Sequence, residues 1–156
     1  MLHSLTSQIG FVALLSTCAF AFSKGGYVER WAAGIIGVSW VLSVCISVVP
    51  SGFSHQVQEY TFLALDAATA VGLLVLAMLF AKVWLGVAML TQSAELALHG
   101  AAMADWGVPF NLYMLLNNLV SVCLLLLLIG ATATAWAQRV HARPSRPQNG
   151  VIEITT

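Results

Sequence analysis

Charge is what this chain has least of. Its 156 residues include six Lys and Arg and six Asp and Glu, so charged residues make up 8% and the formal net charge is zero. An ordinary soluble domain carries about 25% charged residues, because a surface facing water needs them. So sparse a set argues against such a domain, and the lack of a basic surface or phosphate-cradling glycine loop argues against nucleic acid as a partner. Three cysteines, Cys18, Cys45 and Cys123, lie in apolar stretches with no CxxC among them. That set is neither a disulfide framework nor a zinc site, and the three are read as small packing residues. There is no HExxH, no nucleophile elbow and no acidic pair placed for an aqueous cleft, so an enzyme is not expected and no cofactor is implied. Haem held by two histidines would need a matched pair on separate helices, and only His99 lies well inside an apolar stretch.

Apolar sequence is what the chain has instead: 60% hydrophobic residues and a mean hydropathy of +0.90. Five apolar segments cover about 5–22, 31–49, 57–80, 83–103 and 110–137. A hydrocarbon core of about 30 Å is crossed by about 20 helical residues, which each segment approximately supplies. The basic residues sort with these segments. Lys24 and Arg30 separate the first two, Lys82 separates the third and fourth, and Arg139, Arg143 and Arg146 follow the fifth. Basic residues are retained on the cytoplasmic side. The sequence therefore predicts an all-α membrane protein, a bundle of five transmembrane helices, with the N-terminus outside and the C-terminus cytoplasmic. Residues 1–137 form one transmembrane domain and 138–156, rich in Arg, Pro and Ser, a flexible cytoplasmic tail. The first segment has the small-x-small run Ala19-Phe20-Ala21, but its basic residues follow the apolar run instead of preceding it, so it is read as an uncleaved helix.

The boundary hardest to place is the third. As one helix, 57–103 would reach about 70 Å at 1.5 Å per residue, more than twice the bilayer, so the chain must reverse. Lys82, the one charge in the middle, and Trp84 beside it place a tight hairpin at residues 81–83. Gly25-Gly26 reads as a flexible loop, Pro50-Ser51-Gly52 ends the second helix, and Gly107 with Pro109 separates the fourth from the fifth. Aromatic rings fall into two belts, with Tyr27, Trp31, Trp84 and Trp136 at one interface and Tyr60, Trp106 and Tyr113 at the other; Trp40 is left mid-span. Small residues recur every fourth position, at Ser39, Ser43 and Ser47, at Ala64, Ala68 and Gly72, and at Ser93, Ala97 and Ala101. Such stripes let helix backbones approach one another closely.

Ionisable groups within a span cost a few kcal/mol each near the bilayer centre, so each needs a reason. Counted from the hairpin, Asp66 lies at a depth between Glu95 and His99, which are i and i+4 on the next helix, and Asn117 and Asn118 reach a similar depth on the fifth. Asp66, Glu95, His99, Asn117 and Asn118 thus form a candidate intramembrane polar cluster from three helices. It fits hydrogen-bonded packing between helices, a proton or cation relay, or a weakly selective divalent-metal site. Asp105 is a fourth ionisable candidate, placed less deeply, whereas His55 and Glu59 belong to the outer loop near Tyr60.

The order Glu29-Arg30-Trp31, Asp66, Lys82 with Trp84, then Glu95 and His99 resembles uncharacterised small polytopic membrane proteins of proteobacteria. That resemblance implies the bacterial inner (cytoplasmic) membrane and no particular activity. With most of its length in spans and loops too short to build a site, the chain is expected to be a non-enzymatic accessory or interaction subunit. Its surroundings would be the lipid bilayer and a membrane-protein partner or further copies of itself. The alternative is a proton- or cation-coupled transporter or channel using Asp66, Glu95 and His99.

Overall fold

The computed structural model describes residues 5–48, 55–104, 106–107 and 109–142. These form five α-helices, α1 (Leu5–Lys24), α2 (Tyr27–Val48), α3 (His55–Phe80), α4 (Val83–Met103) and α5 (Phe110–His141), with no strand among the described residues. Three are long and apolar enough to cross a membrane, over Tyr27–Ser47, Val57–Phe80 and Phe110–His141. In α1 the apolar stretch Ile9–Lys24 is shorter. Helix α4 has 21 residues but carries Gln92, Glu95 and His99 among them. Helix α5 runs four residues past the expected inner end at 137, and its 32 residues rise about 48 Å. The stop at Pro50-Ser51-Gly52, Asp105 and the tail from residue 143 onward lie outside the described residues.

Each helix packs against its neighbour in sequence, and α5 returns to α1 and touches α2, so the five close into a ring. Alternation up and down gathers the basic residues at one end. There Lys24 Nζ sits 5.7 Å from the centre of the Trp136 ring, and the Arg139 guanidinium donates to the Lys24 carbonyl. Tyr27 meets the Phe80 and Trp31 rings edge-on at 6.0 Å. Arg30 and Lys82 open the helices at the same end and are exposed.

The two turns at this end are built differently. Gly25-Gly26 is a tight, packed turn and not the loose loop expected from its composition. The Gly25 N–H donates to the Ala21 carbonyl at 2.8 Å, and a Cβ on Gly25 would come within 2.2 Å of that oxygen. Glu29, buried, accepts from the Gly26 N–H at 2.9 Å and caps α2. The α3–α4 reversal uses no glycine. Ala81 takes φ 49° and Lys82 is extended (φ −90°, ψ 122°), so two residues turn the chain.

The apolar core sits toward the basic end. Leu14 and Ala21 of α1, Ala32, Ala33 and Ile36 of α2, Leu73 and Leu76 of α3, Leu85 and Ala88 of α4 and Leu124, Leu125 and Leu128 of α5 form one cluster. Small residues set the spacing: Gly72 lets Ile35 approach to 3.2 Å from where a Cβ would stand, and Cys18 lies 3.4 Å from the same position on Gly37. The Cys18 thiol also points at the Ala33 carbonyl, 3.7 Å away. Trp40, the mid-span ring, fills the space over Gly10 at 3.6 Å. Large apolar side chains also cover the outside, among them Ile9, Met78, Leu79, Leu90 and Leu126. In water so extended an apolar surface is a liability; against lipid it is the ordinary condition.

Candidate functional site: a polar seam between α3, α4 and α5

The short α3–α4 turn makes the two helices run antiparallel along their length, which fixes what can meet across them. Asp66, sixteen residues before Lys82, faces His99, seventeen after it, and Asp66 Oδ2 lies 2.7 Å from His99 Nδ1. Both side chains are mostly enclosed, at 16% and 20% exposure. The other face of the imidazole is covered from α5 by Tyr113, whose ring centre is 5.5 Å away and tilted by 57°. One contact therefore draws together three helices.

Glu95 lies one turn from His99 on the inward face of α4, as i, i+4 spacing requires, and is 8% exposed. Its carboxylate does not join the Asp66–His99 contact. Instead it accepts from Gln92 Nε2 at 2.9 Å, and Gln92 is itself only 3% exposed. Asp66, Glu95 and His99 are nevertheless near enough for their charges to act on one another. The expected five-residue cluster thus resolves into two pairs, Asp66 with His99 and Gln92 with Glu95.

The two asparagines part company. Asn117 is half-buried, and its Oδ1 is enclosed with no hydrogen-bond partner. Asn118 is turned to the outside of the bundle. Adjacent residues on a helix differ by about 100° in direction, so matching depth could not place both inward. Among the described residues no three His, Cys, Asp or Glu side chains gather as a metal site, and the divalent-metal reading has no ligand set there.

Two contributors were missed at the level of sequence. Gln92 carries no charge to mark it, although its i, i+3 spacing to Glu95 is a usable signal. Tyr113 fits an interfacial belt by its position along the chain, and only its place one turn before Asn117 points inward. A further hydroxyl contact joins α2 to α3, where Thr69 Oγ1 donates to Ser39 Oγ at 2.9 Å. The serines of that stripe also bond back along their own helix, Ser43 to the Ser39 carbonyl and Ser47 to the Ser43 carbonyl.

The seam can hold helices in register, and its groups can exchange protons. No nucleophile stands beside a base in it. No family model, no curated protein and no solved structure matches this chain.

Proposed function

We propose that the chain is a small non-enzymatic protein of the bacterial inner membrane, an accessory or interaction subunit that crosses the bilayer five times. Its N-terminus lies outside and its C-terminus in the cytoplasm. The observation that carries this reading is the Asp66–His99 contact of 2.7 Å, closed over by Tyr113. That contact joins α3 to α4 directly, while Gln92–Glu95 satisfies the remaining buried polar groups within α4 itself. Side chains so occupied fix how helices pair.

The five-crossing part draws support from the ring of helices and from α4. This is the helix with the most polar interior, and Gln92 and Glu95 are both turned inward, as a lipid-facing position would be costly for them. The gathering of Lys24, Arg30, Lys82 and Arg139 at one end supports placing that end in the cytoplasm. Labelling of single cysteines introduced at Ala104 and at Lys82 tests the topology: Ala104 should react from outside and Lys82 only after permeabilisation. Reaction of both from one side defeats it. For the subunit role, the chain should leave the membrane in mild detergent with a stoichiometric partner, and Asp66→Asn should weaken that association. A chain that always emerges alone defeats the role.

A second reading, a proton- or cation-coupled carrier or channel through Asp66, Glu95 and His99, is favoured by one observation: the enclosed, unpartnered Asn117 Oδ1, one turn along α5 from Tyr113. It requires flux in proteoliposomes that Asp66→Asn with Glu95→Gln abolishes. Flux absent before and after the substitutions removes it.

A further inference from the structure

An apolar groove of about 440 Å³ runs along the outside of the bundle between α2 and α3, lined by Trp31, Gly34, Val38 and Leu42 on one side and Leu65 and Ala68 on the other. Ser39 and Thr69 also border it, yet it is almost free of polar surface, because Thr69 Oγ1 is engaged by Ser39 Oγ and by the Leu65 carbonyl. Its floor is open at Gly34, where an added Cβ would meet nothing within 4 Å.

The length of this groove and the charge beside its basic end point to one occupant. From Trp31 to Leu42 the helix rises about 16 Å, roughly half of a hydrocarbon core about 30 Å thick. The groove therefore begins at the basic end and stops near mid-bilayer, the span of one leaflet's acyl chain. At its basic end stands Arg30, exposed, and one turn below Gly34 on the same face of α2: Arg30, Gly34, Val38 and Leu42 follow at intervals of four. The neighbouring acid does not neutralise it from the groove side, because Glu29 is buried in the α1–α2 turn with its carboxylate on the Gly26 N–H.

We propose that this groove binds one anionic phospholipid, its acyl chain lying along Gly34, Val38 and Leu42 and its headgroup phosphate on Arg30. The inference rests on the membrane reading and adds a ligand to it. Zwitterionic lipids carry the same phosphate, so the preference comes from net charge: with no choline cation to cancel it, the anionic headgroup is favoured beside Arg30 by about fivefold.

Native mass spectrometry of the full chain, released from micelles containing equimolar phosphatidylglycerol and phosphatidylcholine, tests this. One phosphatidylglycerol should remain bound with an apparent affinity about fivefold above that of phosphatidylcholine. Arg30→Gln should remove the preference, whereas Lys82→Gln, at the other turn of the same end, should keep it. Gly34→Leu should fill the floor and expel the first lipid of either kind; Ala68→Leu, on the opposite wall, does the same should the first variant fail to fold. Equal retention of both lipids by the unaltered chain overturns the proposal, as does a first lipid that survives both groove-filling changes. A dimer that Gly34→Leu dissolves would give the groove to a second copy and overturn it too. A chain that does not partition into vesicles of either lipid takes the membrane reading down as well.

Discussion

Toward the basic end the helices touch mainly through carbon, with the Cys18 thiol on the Ala33 carbonyl and the Arg139 guanidinium on the Lys24 carbonyl as polar exceptions; from about the level of Gln92 onward polar groups carry more of the contact. Every buried apolar side chain among the described residues lies in the first half, from Leu14 and Ala21 on α1 to Leu128 and Ala131 on α5. Buried Thr17, Glu29 and Thr132 are the polar members of that half; toward the other end the enclosed side chains are Thr69, Gln92 and Glu95, with Asp66, His99, Tyr113 and Asn117 partly enclosed. The first half is held by close packing of small and branched residues, which is tolerant of small changes in charge and intolerant of added volume. The second half is held by a few directional contacts, tolerant of volume and intolerant of a lost partner. Substitutions of opposite kinds should therefore be severe in opposite halves.

The severest expected is an added methyl in the packed half. Gly25→Ala places a Cβ 2.2 Å from the Ala21 carbonyl oxygen, a backbone atom that moves only if the α1–α2 turn opens. A loss of about 2–3 kcal/mol is expected, in the range of overpacking, read as a lower midpoint of denaturation in detergent micelles. A midpoint within error of the parent would show that the turn is looser than its contacts imply.

In the polar half the corresponding blow is removal of one member of the pair. Asp66→Ala should cost about 1–2 kcal/mol, the upper range for a polar contact between membrane helices, and His99→Ala a similar amount. The double variant should cost well under the sum of the two, since each single change already forfeits the 2.7 Å contact. Strict additivity in the same denaturation assay would mean that Asp66 and His99 stabilise the hairpin separately. Glu95→Gln should be nearly silent by comparison, because an amide at that position can still accept from Gln92 Nε2.

This contrast marks where sequence stopped being informative. Long apolar runs and the spacing of Lys24, Lys82 and Arg139 were enough to locate five helices and the reversal next to Lys82, because both depend on where a residue lies along the chain. Direction around a helix axis is a different quantity, and apolar sequence on all sides leaves it unmarked. Asp66 and His99 could be matched in depth, and the cost of exposing them suggested that they face inward. Asn117 and Asn118 have nearly the same depth and directions about 100° apart, and no such cost separates two neutral amides. Tyr113 was missed for the same reason, whereas Gln92 escaped because it carries no charge, although its spacing to Glu95 marks its direction. The Gly25-Gly26 turn failed differently: glycine signals freedom in an unfolded chain, but here it signals a lack of room.

A smaller effect is expected from Glu29, which belongs to the packed end but acts through a single hydrogen bond. Glu29→Ala leaves the Gly26 N–H without its 2.9 Å partner and should cost about 1 kcal/mol, as lost helix caps do. Glu29→Gln retains an acceptor and should recover most of it. If both variants lose equally, the carboxylate's charge at the start of α2 matters more than its hydrogen bond.

The least effect, and the one of opposite sign, concerns the other turn. Ala81 holds φ 49°, a left-handed conformation that costs a residue with a Cβ about 1–2 kcal/mol. Replacing it with glycine removes that strain but gives the unfolded chain more freedom, worth about 0.5–1 kcal/mol against folding. Ala81→Gly should therefore stabilise the bundle by about 0.5 kcal/mol, a shift of about 1–2 °C in a melt of a chain this size. Ala81→Val, whose branched side chain suits that region least, should move the midpoint the other way and further. Because the Asp66–His99 contact depends on this reversal for its register, the valine variant should also reduce the coupling measured between those two positions. A coupling that survives intact would mean that the α3–α4 pairing is set by the seam itself and the turn merely follows.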